Sequence, residues 1–401
     1  MHHFGFQPND LPSPASEQRA TMGLERWRDS AARVEDAEVA AAARRMAEDA
    51  NGRRLLEALF GNSPYLTQCA VRDPGVMAGI FTRGPDAVVA DIMGGLEAMR
   101  GETVDSSAVA SHLRTAKRHV ALAVAVADIA GVWPLERVTG ALSDFAEAAL
   151  GRVAATLLGE TAANGVIVPA DPGDPERDSG LVVLGMGKLG ARELNYSSDI
   201  DLVILYDHER MCATKPDELH NHMVRLARNL VRLMEERTAE GYVFRTDLRL
   251  RPDPGSTPPA LSVLAAETYY ESLGQNWERA AMIKARPVAG DRECGARFLD
   301  SLKPFIWRKN LDFAAIRDIH SIKRQITAAR GGGKLALGGH NVKLGRGGIR
   351  EIEFFVQTQQ LIWGGREPDL RHTGTVDALG ALAAAGKISR PTAGDMTGAY
   401  R

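Results

Sequence analysis

Asp199-Ile200-Asp201 stands directly ahead of an apolar run, Leu202-Val203-Ile204-Leu205-Tyr206. In an extended chain residues i and i+2 project to one side, so the two carboxylates share a face while Ile200 turns to the core. Like charges held that close repel, and one takes up a proton unless a cation lies between them. Paired carboxylates are how proteins hold Mg²⁺ for phosphate chemistry, where the metal bridges phosphate oxygens and stabilises an in-line displacement. Upstream, Leu181-Val182-Val183-Leu184 leads into Gly185, Gly187 and Gly190, a turn whose backbone amides can approach a phosphate unobstructed. Lys188 and Arg192 add cations there, and Ser197 and Ser198 add hydroxyl donors.

Downstream, Tyr242 to Leu250 alternates as a strand does, which puts Arg245, Asp247, Arg249 and Arg251 on one face. Asp247 is read as a third metal ligand flanked by arginines suited to phosphate, the alternative being an ion-paired surface. The glycines also fit the dinucleotide fingerprint G-x-G-x-x-G. A crossover between parallel strands needs about a dozen residues or more, and only Lys188 to Tyr196 separates this turn from Ser197. That reading also leaves Asp199 and Asp201 without a role. His220 and His222, at i and i+2 on a predicted helix, face apart and are not read as ligands.

The elements that position these residues follow from composition. From Ser16 to about Ala50 the chain is rich in Ala, Arg and Glu, helix-forming material, behind a lead-in of 1–15 expected to be loose. Pro64 suits a first helical turn, and Asp105 caps a long helix that ends at Gly131-Val132-Trp133-Pro134. Leu135 to Gly159 reads as a further helix. Pro169 to Gly180, crowded with Pro and Asp, reads as a loop or domain boundary. Leu181–Leu184 and Leu202–Tyr206 read as buried strands, and His220 to Glu240 as an amphipathic helix. Helices return after Leu261, with a Gly-rich break at Gly331 to Gly348. Glu351 and Glu353 fit either an extended segment near the site or ordinary helix surface, and Lys284 and Arg286 receive no role. The expected organisation is a helical region 1–165, a catalytic core 166–310, and a helical and Gly-rich region 311–401. The last segment, from Arg390, opens a helix that nothing closes, so the chain is expected to be a piece of a longer protein.

GMGKLGARELNYSSDIDLVILYD and FRTDLRLRPD resemble the glutamine synthetase adenylyltransferase family, the bifunctional adenylyltransferases and adenylyl-removing enzymes. QNWERAAMIKARPVAGD and NVKLGRGGIREIEFFVQTQQL are similar to the same family. The resemblance implies an α+β fold with a nucleotidyltransferase core like that of DNA polymerase beta, a mixed sheet flanked by helical regions. It maps the Gly-rich turn to Gly185 and Gly187 and the catalytic carboxylates to Asp199, Asp201 and Asp247, with Mg²⁺, in a two-metal site, or Mn²⁺ as cofactor. The family's full chain holds two such cores. The one with Asn-Tyr-Ser-Ser before its Asp pair removes AMP from a tyrosine of glutamine synthetase, with inorganic phosphate as attacking group and ADP as product. The resemblance thus implies an adenylyl-removing half, with ATP-dependent addition of AMP as the alternative. It also implies control by the PII signal protein.

The chain has 401 residues, 49 Lys and Arg against 51 Asp and Glu, and a formal net charge of −2. That balance argues against a nucleic-acid or anionic-membrane partner, although 314–371 carries a local excess of Lys and Arg. Three scattered cysteines exclude a disulfide framework and fit a reducing cytoplasm. The longest apolar run, Val120–Ala127, is far short of the roughly 20 residues of a membrane span, and the N-terminus shows no secretory leader pattern.

Overall fold

The computed structural model describes residues 5–99, 105–309, 341–343, 345 and 347–401. The predicted Gly-rich break at 331–348 and much of the basic stretch 314–371 lie outside the described residues. The chain divides into two units: Met1–Val153 with Leu194–Ser198 and Leu233–Phe244, and Ala154–Glu193 with Asp199–Arg232 and Arg245–Arg401.

Unit 1 is helical because its sequence punctuates itself with caps and prolines. Its helices are α1 (Glu17–Ala32), α2 (Ala37–Glu48), α3 (Ala50–Asn62), α4 (Pro64–Arg72), α5 (Pro74–Arg83), α6 (Pro85–Ala98), α7 (Ser106–Ile129) and α8 (Leu135–Ala163, counted here to Val153). The side chains of Ser16, Asp36, Asp49, Ser63 and Asp105 each accept a first-turn amide, and Pro64, Pro74 and Pro85 start helices where an amide hydrogen has no partner. Trp27, Leu55, Leu59 and Phe60 are buried in one core, with the Trp27 indole donating to Ala43 O at 3.1 Å. The 1–15 lead-in, expected to be loose, is packed: Phe6 and Leu11 are buried, Arg54 donates to Leu11 O, and Asn62 donates to Ser13 O. The run Val120–Ala127 is the buried middle of α7. No helix among the described residues is long and apolar enough to cross a membrane.

Unit 2 holds a mixed sheet of five described strands, β1 (Leu181–Gly185), β2 (Ile200–Tyr206), β3 (Thr246–Asp247), β4 (Ala260–Ser262) and β5 (Arg286–Gly290). β1 lies between β5 and β2 and is antiparallel to both, with Leu181 opposite Tyr206 and Gly185 opposite Leu202. The other edge of β2 carries β3 at its start and β4 at its end, both parallel to it. Val182, Leu184, Val203 and Leu205 pack against Tyr270, Met282, Phe298 and Phe305 in one core. Helices flank this sheet, a nucleotidyltransferase-like arrangement. The antiparallel β1–β2 pair removes the dinucleotide reading, which requires a parallel crossover at that point. The predicted strand Tyr242–Leu250 shrinks to Thr246–Asp247, because the chain turns after Leu248. Glu351 and Glu353 lie on the helix Ile349–Trp363.

Candidate active site

Parallel pairing of β2 with β3 sets Ile200 opposite Thr246 and Asp201 opposite Asp247. Residues 46 positions apart in the chain thereby bring the third carboxylate beside the Asp pair. Asp199, just before β2 and half exposed, accepts from Arg245 Nε at 2.5 Å. Asp247 is gripped by Arg249, whose backbone amide donates to Oδ1 at 2.8 Å and whose Nη2 donates to Oδ2 at 2.5 Å. Those hydrogen bonds outweigh partial burial and hold the Asp247 carboxyl below the usual range. Arg249 reaches Asp247 by a turn, not by the strand alternation expected of it.

Asp201 is the strained member. Burial above all, then the charges of Asp247 and Asp199, pushes its carboxyl up to about 6, against the opposing pull of Arg350 and Arg249. The Gly-rich turn closes over it. Met186 N donates to Asp201 O at 2.9 Å. Gly187 has φ +51°, and a Cβ there would stand 2.8 Å from Asp201 Oδ2, so the close approach requires glycine. Gly185 is tight for a different reason: a Cβ on it would meet Val288 Cγ1 at 2.7 Å.

Two residues without a role in the sequence reading hold that turn from behind. Arg286 of β5 donates to Gly190 O at 3.1 Å and Leu189 O at 3.2 Å, capping the short helical turn Gly187–Gly190. A Cβ on Gly190 would collide with the Lys284 carbonyl. The alternation of a basic strand carries no hint of such caps, which depend on pairing across the sheet.

The other predicted site residues are placed differently. The Arg251 guanidinium, expected on phosphate, donates to the carbonyls of Leu248, Pro254, Thr257 and Pro258 at 2.8–3.1 Å and so clamps its own loop. The Lys188 ammonium lies 5.7 Å from the Tyr400 ring centroid, its pKa lowered chiefly by burial, with Glu353, Lys284 and Glu193 as neighbouring charges. Arg192 is exposed at φ +59°. Ser197 and Ser198 belong to unit 1. The His220 ring meets the Tyr206 hydroxyl at 3.0 Å, and His222 is 3.7 Å from Glu218.

An all-oxygen donor set around a partly buried carboxylate that its arginine neighbours compensate only in part fits a hard divalent cation in its chemistry. The arginines on Asp199 and Asp247 occupy directions such a cation would share. Among the described residues no group of three or more His, Cys, Asp or Glu is arranged to hold a metal ion.

Residues 53–301 match the family described as glutamate-ammonia ligase adenylyltransferase, and residues 318–401 match one described as GlnD PII-uridylyltransferase. The chain is 50 % identical over 395 residues to the bifunctional glutamine synthetase adenylyltransferase/adenylyl-removing enzyme of Rhizobium meliloti, covering 96 % of this chain and 39 % of that protein. The enzyme of the same name from Caulobacter vibrioides is 51 % identical over 346 residues, 86 % of this chain and 35 % of its own. The chain thus spans about two fifths of the length of these curated relatives. With most of its length matched, the chain belongs to the glutamate-ammonia ligase adenylyltransferase family of nucleotidyltransferases.

Proposed function

We propose that this chain carries the adenylyl-removing activity: phosphorolysis of adenylyl-tyrosine on glutamine synthetase, in the cytoplasm, under control of the PII signal protein. The observation that carries the reading is the pairing of Asp201 with Asp247 beneath the Gly187 turn, and Asn195-Tyr196-Ser197-Ser198 ahead of the Asp pair supports removal over addition.

A phosphate oxygen attacks the adenylyl phosphorus and the new P–O bond gives ADP. The bond to the tyrosine oxygen breaks, and the electron pair departs on the phenolate, which then takes a proton from water. A phenol pKa of about 10 makes this leaving group tolerable without a dedicated general acid. Two anions must meet, so cationic screening decides the rate. A divalent cation held by Asp201, Asp247 and Asp199 would supply charge neutralisation on the phosphoryl oxygens. The chain's own residues supply the rest. The Gly185–Gly187 backbone gives the phosphate close approach. Arg249, with a side chain 84 % exposed, meets the incoming phosphate by exchanging its side-chain hydrogen bonds to Asp247 for it, whereas Arg251 is committed to four carbonyls of its loop and Lys188 is turned toward Tyr400.

The test is phosphate-dependent release of ADP from adenylylated glutamine synthetase with Mg²⁺. The natural chain is expected to form ADP and Asp199→Asn/Asp201→Asn to form none. ADP from both, or labelled AMP transferred from ATP to unmodified synthetase in place of ADP release, rejects the removal reading.

A further inference from the structure

Unit 1 encloses a cavity of about 660 Å³ bounded by α4, α7 and the returning segments 194–198 and 238–244. That volume lies in the range of small-molecule sites, about 300–1,000 Å³. Lys117 of α7 lines it. Its ammonium stands 3.7 Å from the Phe244 ring centroid and 5.8 Å from that of Phe145, and among the described residues it has no carboxylate partner. Desolvation alone drives its pKa down to about 7. A leucine or methionine would fill the same space without an unpaired charge, which is costly to bury.

The walls around Lys117 are already fixed. Arg114 donates to Glu236 O, Arg118 to Asp73 at 2.6 Å, and Arg72 to Ala239 O. Both acids of the lining are engaged as well: Asp128 accepts from Tyr196 OH at 2.8 Å and Glu240 from Ser111 at 2.6 Å. Glu236 and Asp73 offset Arg114 and Arg118, and Arg72 is held by a carbonyl, which leaves Lys117, among the described residues, as the cation of this lining available to meet an anionic group. Tyr65 and Tyr242 line the same space, Tyr242 with the Arg237 guanidinium 5.0 Å from its ring centroid, and aromatic side chains of this kind can stack a flat ring.

We propose that this cavity is a binding site for a phosphate monoester on a flat aromatic body, of nucleoside monophosphate size, with Lys117 on the phosphate and Tyr65 and Tyr242 against the ring. The inference stands on unit 1 alone and does not rest on the proposed phosphorolysis.

AMP and inorganic phosphate serve as probes, titrated calorimetrically into the 401-residue chain, Lys117→Met and Asp201→Asn. AMP is expected to bind the natural chain and Asp201→Asn alike. It is expected to bind Lys117→Met about ten-fold or more weakly, and phosphate alone to bind weakly everywhere. Unaltered AMP binding by Lys117→Met, its loss in Asp201→Asn, no binding to the natural chain, or phosphate binding as tightly as AMP would each overturn the proposal. A second readout covers a variant that fails to fold. Lys117 of the natural chain is expected to acetylate readily near neutral pH and to be protected by AMP, read by peptide mass spectrometry. Labelling of Lys117 that AMP leaves unchanged also rejects the site.

Discussion

Asp201 concentrates the conflict between stability and chemistry in one side chain. At neutral pH it is ionised although its surroundings favour the proton. Its folded pKa of about 6 lies above an unfolded value near 3.9, so the folded chain binds the extra proton and stability falls as pH rises from about 4 through 6. Asp201→Asn removes that loss. In EDTA the variant is expected to melt higher than the natural chain at pH 7.5, by about 1–3 kcal/mol of stability. The gap should close near pH 4, while phosphorolysis is lost at every pH. Equal melting of the two proteins at pH 7.5 would show that the carboxylate is already compensated. Gly187 argues the converse case. A methyl group there meets Asp201 Oδ2 and forces an L-residue to φ +51°, a strain of about 1 kcal/mol. Gly187→Ala is therefore expected to keep the fold and lose about ten-fold or more in ADP release. Full activity would mean that the turn is mere spacing.

Among the elements, β1, β2 and the capped helices were legible because their signals are local: apolar runs of strand length, Pro64 at a first turn, Asp105 before Ser107. The support of the Gly turn was not, because it comes from long range. Lys284, 4 % exposed, donates to Glu193 at 3.1 Å, Glu353 at 3.0 Å and Thr375 Oγ1 at 3.0 Å, and Tyr400 donates to both carboxylates. Glu353 and Glu193 keep the ammonium charged against burial. The spacing of these partners along the chain carries no period, so Glu353 read equally well as strand or as surface. Removing the cation strands two partly buried carboxylates. Lys284→Met is expected to cost about 3–5 kcal/mol in urea unfolding, and Glu353→Gln added to it should return part of that loss. Strictly additive effects of the two substitutions would mean that the ion pair contributes nothing of its own.

For the molecule as a whole, composition pointed to a boundary at the Pro- and Asp-rich loop 169–180 with a helical region before it, whereas the two units divide within α8, after Val153. Composition could not mark the return of the chain to unit 1, since Leu194–Ser198 and Leu233–Phe244 sit inside a stretch that reads as sheet and helix of the core. Those returns fill unit 1's interior: Val243 and Phe244 are buried, and Phe244 packs on Phe145 with ring centroids 6.0 Å apart. Arg114, 5 % exposed, depends on Glu236 for its backbone and carboxylate partners. A fragment of residues 1–165 loses all of these. Two large apolar side chains account for about 3–6 kcal/mol, and an uncovered buried arginine adds to the deficit, against a total stability of about 5–15 kcal/mol for a typical domain. The fragment is expected to keep much of its helical circular dichroism, whose caps are local, while losing a cooperative thermal transition. A sharp transition at the temperature of the full chain would mean that the returning segments only decorate a helical domain complete without them.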